Sequence, residues 1–395
     1  MTSVVYIAKN VYGGDGLGRL GDGRVVFVPG AWAGEQVKAE IVEEKRGFVR
    51  ARLVEVVEPS PQRIEKGPSV PGMVYNALSF EGERAAKDAQ LQEFFERARI
   101  DVPSFSTAEC ANFLNYRNKV VYHFEKRGDK WLIGYRQEPS HSIVDVEEDP
   151  LAVPAINAAL PAIRNAVTRL LTQGAWSVRR DIERQGHVTI RWTQKSGVKW
   201  WIGRTREGDV IKETTLGRDF EVPADGFYQV NPQMGESLAA AVVAQYNATK
   251  DIAPDVLDLY CGVGVFGILC NPASLIGIES GRQAVAFAKK NAERNSVVGR
   301  FFAEEVGRNT RRISITSRTI VIIDPPRGGL ERGVASWLSR SSAPVIIYVS
   351  CDPATLVRDL KELRRAYDVQ SVRRFDMFPR TARFETLVVL KRKGF

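Results

Sequence analysis

Cysteine and histidine are scarce in this chain, with four and three respectively in 395 residues. So few cysteines exclude a disulfide-stapled scaffold. His123, His141 and His187 show no metal-ligand spacing. No stretch approaches the ~20 uninterrupted apolar residues that a membrane-spanning helix needs. The opening MTSVVYIAKN lacks a basic segment followed by an apolar one, so no secretory leader is expected. Internal repeats and low-complexity segments are missing too. An acidic surplus is also lacking: 56 Lys and Arg face 47 Asp and Glu, a formal net charge of +9. The expectations are a cytoplasmic chain without a membrane partner, and a balance that favours an anionic partner.

The charge is unevenly spread. Residues 1–60 carry eight basic and eight acidic side chains, whereas residues 307–395 carry eighteen basic and eight acidic ones. Arg311, Arg312, Arg364, Arg365, Arg373, Arg374 and the closing KRK at 391–393 supply much of that surplus. It reads either as a solvated surface or as a phosphate-binding face. Patterning divides the chain in three. Short Val-rich segments (VYIAKN, RVVFVPG, EQVKAEIVEE, FVRARLVEVV) within residues 1–60 predict a small closed barrel. Residues 61–225 mix strand-like runs with helical stretches at 83–99 and 154–173, an α+β middle domain. Over residues 226–395, helices alternate with apolar strands (DVLDLY, SLIGIES, TIVIIDPP, PVIIYVS, ETLVVLKR). That pattern predicts an α/β domain with a mostly parallel sheet covered on both faces.

Chemistry-bearing residues fall at the ends of those strands. DVLDLYCGVGVFG (255–267) runs from a strand into Gly262-x-Gly264-x-x-Gly267 and then a helix. Such a loop lets backbone N–H groups approach a ligand, and Glu279 at the end of the next strand could accept two ribose hydroxyls. A nicotinamide enzyme fits the same loop. IIDPPRGGL places Asp324 at a strand end, and YVSCDPATLVRDL places Cys351 between a strand and a helix. Ligands bind outside the carboxyl ends of such strands. A helix N-terminus and nearby arginine favour a thiolate, so Cys351 is expected as an activated nucleophile. With every histidine outside the last third, a proton acceptor there must be a carboxylate, and Glu385 begins the last strand. Cys110, Cys261 and Cys270 read as structural.

Taken together, FYQVNP (227–232), DLYCGVGVFG, IIDPPRGGL, SCDPATLVRDL and DMFPRTARFET resemble the RNA 5-methyluridine methyltransferase family. GDGLGRLGDGRVVFVPGAWAGEQV resembles the TRAM RNA-binding domain. The resemblance implies a class I, Rossmann-like methyltransferase domain, a small OB-like barrel before it, S-adenosylmethionine as donor and uridine in rRNA or tRNA as acceptor. It implies Cys351 as nucleophile and Glu385 as base. Asp258, Tyr260, Gly262, Gly264 and Glu279 would hold the cofactor, Phe227 and Arg327 would face the substrate, and Gln229 and Asp324 would serve both. The TRAM-like barrel leans toward rRNA, and a monomer is expected. Non-catalytic RNA binding is a competing reading, against which both Cys351 and Glu385 stand.

Two departures from the family pattern matter. Many relatives hold an iron–sulfur cluster, whose four cysteine positions fall here at Ile64, Val70, Met73 and Asp149. No cluster is expected, and local apolar packing is expected in its place. Arg380 and Arg383 occupy a stretch where the family pattern has histidines, and there they would either lower the pKa of Glu385 or face phosphate. Of Phe227 and Tyr228, one is expected in the core and one on an extruded nucleotide.

Overall fold

The computed structural model describes residues 2–137, 140–173, 186–205, 208–309 and 313–395. The chain forms two compact units, Met1–Phe94 with Phe378–Phe384, and Phe95–Met377 with Glu385–Phe395.

In the N-terminal unit, β1 (Thr2–Asn10), β2 (Gly16–Arg19), β3 (Val25–Val28), β4 (Gln36–Lys45) and β5 (Phe48–Glu58) close into a barrel in the order β1-β2-β3-β5-β4. Every second residue points inward, and Val5, Ile7, Val26, Val28, Val37, Ala39, Val49 and Ala51 form the core. Strand β2 lies inside the Gly-rich stretch, where GLGR offers no apolar alternation to read. Helix α1 (Phe80–Ala98) begins in this unit. Its Glu83 and Lys87, both fully buried, form an ion pair of 2.7 Å.

The second unit opens with β6 (Phe105–Ala108). A five-stranded antiparallel sheet follows, built from β7 (Lys119–Arg127), β8 (Lys130–Arg136), β9 (Ile143–Asp145), β10 (His187–Thr193) and β11 (Gly197–Ile202), in the order β11-β10-β7-β8-β9. Helix α2 (Pro154–Thr172) starts on a proline, which needs no N–H partner at that position, and buries Ile156, Leu160, Ile163 and Val167 on one face. A hairpin of β12 (Val210–Thr215) and β13 (Arg218–Pro223) comes next.

The remaining elements build an open sheet. Its helices are α3 (Pro232–Thr249), α4 (Val265–Cys270), α5 (Arg282–Arg294), α6 (Val306–Asn309), α7 (Val334–Arg340) and α8 (Pro353–Leu363). Its strands are β14 (Asp255–Leu259), β15 (Ser274–Glu279), β16 (Gly299–Ala303), β17 (Thr319–Ile323), β18 (Val345–Ser350), β19 (Tyr367–Phe375) and β20 (Glu385–Arg392). The order is β16-β15-β14-β17-β18-β20-β19-β6. Strands β14 to β18 are parallel, as expected, and β20 runs antiparallel to β18. Sequence patterning missed β16, β19 and β6. Strand β19 carries a register shift between Val369 and Ser371 that breaks its alternation, and the other two are short edge segments. After β14 the chain adds β15 and β16 on one side and then returns to place β17 on the other. The crevice between β14 and β17 is therefore the topological switch point, where open α/β sheets bind ligands.

Candidate active site

The Gly-rich loop lies at the carboxyl end of β14. Gly262 and Gly264 take φ values of 54° and 87°, and Gly264 is the N-cap of α4. From beneath, Asp258 Oδ2 accepts a hydrogen bond from Gly267 N at 2.9 Å. Burial of Asp258 pushes its carboxyl up to about 7, with the Gly267 N–H opposing. At the end of β15, Glu279 accepts from Gly262 N (3.3 Å) and from Gly281 N (2.7 Å). Ser280 Oγ also donates to Oε1, so Oε2 is the oxygen that retains a lone pair for a ligand. Tyr260 sits at φ 62°, a strained value for a bulky residue, and its hydroxyl accepts from Glu331 N at 3.5 Å. An adenosyl cofactor fits this cradle on a specific observation: Asp258 Oδ1 is buried and has no partner among the described residues. Such an acceptor is costly unless a bound donor satisfies it.

The reactive residues gather on the adjoining strand ends. Cys351 directly follows β18, and the pairing of Ser350 with Thr386 sets it beside Glu385 on the antiparallel neighbour. Asp324 follows β17 and donates its N–H to Leu259 O, which ties it to β14. Asp352 caps α8 by accepting from Ala354 N and Thr355 N at 3.0 and 3.2 Å.

The electrostatics of this cluster overturn two expectations. Cys351 is not held as a thiolate: burial, followed by the negative charges of Glu385 and Asp324, pushes its thiol up to about 12, while Arg327 opposes. Three nearby carboxylates raise it, one of which is the N-cap of α8, Asp352. Glu385 is not lowered either. It is only 4% exposed, and burial and then Asp324 raise it well above the carboxylate range, with Arg327 as the opposing charge. Arg380 and Arg383 are spent elsewhere. Within the N-terminal unit, Arg380 donates to Tyr75 O, Leu78 O and Glu83, and Arg383 donates to Tyr12 Oη at 2.8 Å.

Phe227 and Tyr228 separate cleanly. Phe227 is 72% exposed, whereas Tyr228 packs against the Val222, Val263 and Phe287 cluster. Gln229 follows, held close to Gly235 at the start of α3, where an added Cβ would lie 2.9 Å from Gln229 Cβ. The sequence reading missed Asn231. Fully buried, it caps α3 through Met234 N and donates to Met377 O at 3.2 Å, joining the FYQVNP and DMFP segments.

Much of the described basic surplus of the C-terminal third lies away from this cluster, although Arg373 pairs with Leu387, two residues from Glu385. Lys391 pairs with Val345 at the far end of β18, about 17 Å from Ser350 at ~3.3 Å per residue. Arg364 and Arg365 precede Tyr367, which pairs with Arg392 at that same far end. Arg374 is buried and ion-paired with Asp376 at 3.6 Å. Arg311 and Arg312 lie outside the described residues. Arg327 is the cation of this surplus whose field reaches both Cys351 and Glu385.

Apolar packing holds at two of the four cluster-equivalent positions. Val70 and Met73 are buried and bonded to each other, Ile64 is 41% exposed, and buried Asp149 accepts from the Tyr122 and Tyr135 hydroxyls. Among the described residues no set of three or more His, Cys, Asp and Glu could hold a metal ion. None of the described helices is long and apolar enough to cross a membrane.

Comparisons with known proteins agree with this geometry. Residues 209–393 match the tRNA (uracil-5-)-methyltransferase family, and residues 5–54 match the TRAM domain. An uncharacterized RNA methyltransferase of Thermotoga maritima is 29% identical over 99% of each chain. A 23S rRNA (uracil(1939)-C(5))-methyltransferase of Tolumonas auensis is also 29% identical, over 96% of this chain and 93% of its own. The crystal structure of Pyrococcus abyssi tRNA (uracil-54, C5)-methyltransferase in complex with S-adenosyl-L-homocysteine superimposes with a TM-score of 0.74 at 23% identity. That match covers 98% of this chain and 99% of the other, and it establishes a shared fold. The chain thus carries a TRAM domain over residues 5–54 and, over residues 209–393, a domain of the tRNA (uracil-5-)-methyltransferase family.

Proposed function

We propose that this enzyme methylates C5 of a uridine in ribosomal RNA through a covalent bond between Cys351 Sγ and C6 of the base. The observation that carries the reading is the convergence of Cys351, Asp324 and Glu385 on adjacent strand ends beside the Gly-rich loop. Uracil C5 is a weak nucleophile. Addition of the Cys351 thiolate at C6 moves electron density onto C5 through an enolate, and C5 can then accept a methyl group. Asp258, Tyr260, Gly262, Gly264 and Glu279 would hold S-adenosylmethionine, whose sulfonium would supply that methyl and be left as a neutral thioether. Glu385 as carboxylate takes the C5 proton, the C5–C6 double bond re-forms, and the Cys351 thiolate leaves. A raised pKa makes the ionised carboxylate a stronger base and also favours its protonated form, so Glu385 must release its proton before it can take the one at C5. Asp324 as carboxylate accepts from N3–H, a donor that uracil has and cytosine lacks, and Gln229 supplies a second polar contact to the ring.

The remaining surfaces support an RNA substrate. A uracil stacked in a duplex hides both faces of its C5–C6 bond, so the base must be extruded. Phe227, with most of its ring in solvent, stacks on the extruded nucleotide, and exposed Arg327 binds a neighbouring phosphate. The 1–60 barrel grips RNA, 61–225 supports the loop before α3, and 226–395 performs the chemistry. The enzyme works as a cytoplasmic monomer. Ribosomal RNA is favoured because a relative aligned over nearly the full chain is named for 23S rRNA.

The test is methyl transfer from labelled S-adenosylmethionine to purified rRNA and tRNA, with Cys351→Ala and Glu385→Gln alongside. Label should enter uridine of rRNA. Cys351→Ala should lose transfer and keep cofactor affinity, and Glu385→Gln should accumulate a methylated RNA–protein adduct that survives denaturing electrophoresis. Label in tRNA alone would overturn the substrate, and free turnover by Glu385→Gln at the wild-type rate would overturn the base.

A further inference from the structure

We infer that Arg358 and Asp359 on α8 are positioning residues for methyl transfer, locking the backbone of residues 326–330 from which the Arg327 side chain projects. The inference rests on the proposed roles of Cys351 and Glu385. Helix α8 starts two residues after Cys351, so its face moves with the nucleophile. That face binds four polar backbone groups of the 326–330 loop. Thr355 Oγ1 donates to Arg327 O at 3.2 Å, and Arg358 Nη2 donates to Gly328 O at 2.9 Å and to Leu330 O at 3.3 Å. Leu330 N donates to Asp359 Oδ2 at 2.8 Å, and Gly329 N closes the turn onto Pro326 O.

Asp359 is 5% exposed and has three partners: Leu330 N, the Tyr348 hydroxyl at 2.8 Å and Arg358 Nε at 2.9 Å. A buried carboxylate so fully paired is fixed in place, and it fixes what it holds. Strand β18, which carries Tyr348, is thereby tied to the loop that follows β17. Gly329 shows how close the approach is. At φ +72°, a Cβ on it would lie 2.6 Å from both Arg358 Nη2 and Asp359 Oδ2. The main chain around Arg327 is therefore held while its side chain reaches into solvent. Arg327 is also the charge that opposes the upward shifts of both Cys351 and Glu385, so its location matters to the chemistry.

A double-mutant cycle tests this. Arg358→Ala should lower kcat about tenfold and leave S-adenosylmethionine affinity within about twofold. The same substitution in an Arg327→Ala background should cost nothing further, because a residue acting through Arg327 has nothing left to act on. Arg358→Lys should restore part of the loss. A second readout needs no RNA. With the Arg327 charge displaced, the Cys351 thiol should rise further and its reaction with iodoacetamide should need higher pH. At a fixed pH the rate should fall by up to about tenfold for every pH unit that the thiol climbs. Arg358→Ala and Arg327→Ala should move that profile alike. Equal losses in both backgrounds, or an unmoved alkylation profile in folded Arg358→Ala, would overturn the positioning role. Asp359→Asn, which keeps an acceptor for Tyr348 and Leu330, supplies the profile if Arg358→Ala does not fold. Failure of the wild type to methylate any uridine would count against the proposed function, while the alkylation arm would still decide the clamp.

Discussion

The protonation state of Cys351 gives the sharpest quantitative expectation. Its thiol is pushed up to about 12, three pH units above the ordinary 9.0. Below both values, the thiolate fraction is then about a thousandfold smaller than for an ordinary cysteine. A more basic thiolate is also a better nucleophile, with a Brønsted slope of about 0.4–0.5, which returns a factor of roughly 20–30. The net expectation is alkylation roughly 40-fold slower than that of a small reference thiol near pH 8. Iodoacetamide pulses across a pH series, read by peptide mass spectrometry, measure this, and Cys110, Cys261 and Cys270 should stay unmodified because they are buried. Partial burial alone would slow the reaction equally at every pH, so the shape of the curve decides. The rate should climb about tenfold per pH unit past 9 with no plateau below about 11. A plateau near pH 8–9 would refute the assignment.

Other expectations follow from the same structure. Asp258 is 1% exposed and raised from 3.8 to about 7, so the folded state binds its proton more tightly than the unfolded chain does. Stability is then lost as pH rises from 3.8 toward 7. Asp258→Asn should match the wild type in thermal unfolding near pH 4 and exceed it by about 4 kcal/mol above pH 7 without cofactor. Equal unfolding curves at both pH values would contradict the buried charge. Phe227→Ala should weaken binding of an RNA hairpin by about 1–3 kcal/mol while leaving cofactor affinity alone, and unchanged RNA affinity would remove Phe227 from the interface. The same hairpin titrated against salt should bind more weakly as salt rises. It should also be methylated faster with the target uridine in the loop than in the stem; equal rates would argue against base extrusion.

Much of this protein was legible before any coordinates. Alternation of period two in residues 1–60 dictates strands that bury one face, and their number and shortness predict closure. The order strand, glycine loop, helix, strand, acid over residues 255–279 locates a ligand crevice, because each signal is carried by neighbours in sequence. Cys351 and Glu385 stand out for the same reason, being chemically capable residues at strand ends. What tertiary structure decided is everything that depends on residues distant along the chain. Cys351 and Glu385 are both raised, by burial first and then by carboxylates that include Asp324, which arrives on a different strand. Arg380 and Arg383 look like neighbours of Glu385 in sequence, but the 378–384 segment belongs to the N-terminal unit and spends both there. The C-terminal charge run is split by strand direction, since antiparallel β20 carries its basic end away from the site. Arg358 and Asp359 act on residues 28 to 30 positions earlier, a separation that no local pattern reports. Local chemistry names the candidates, whereas burial and long-range pairing assign their charge states and their partners.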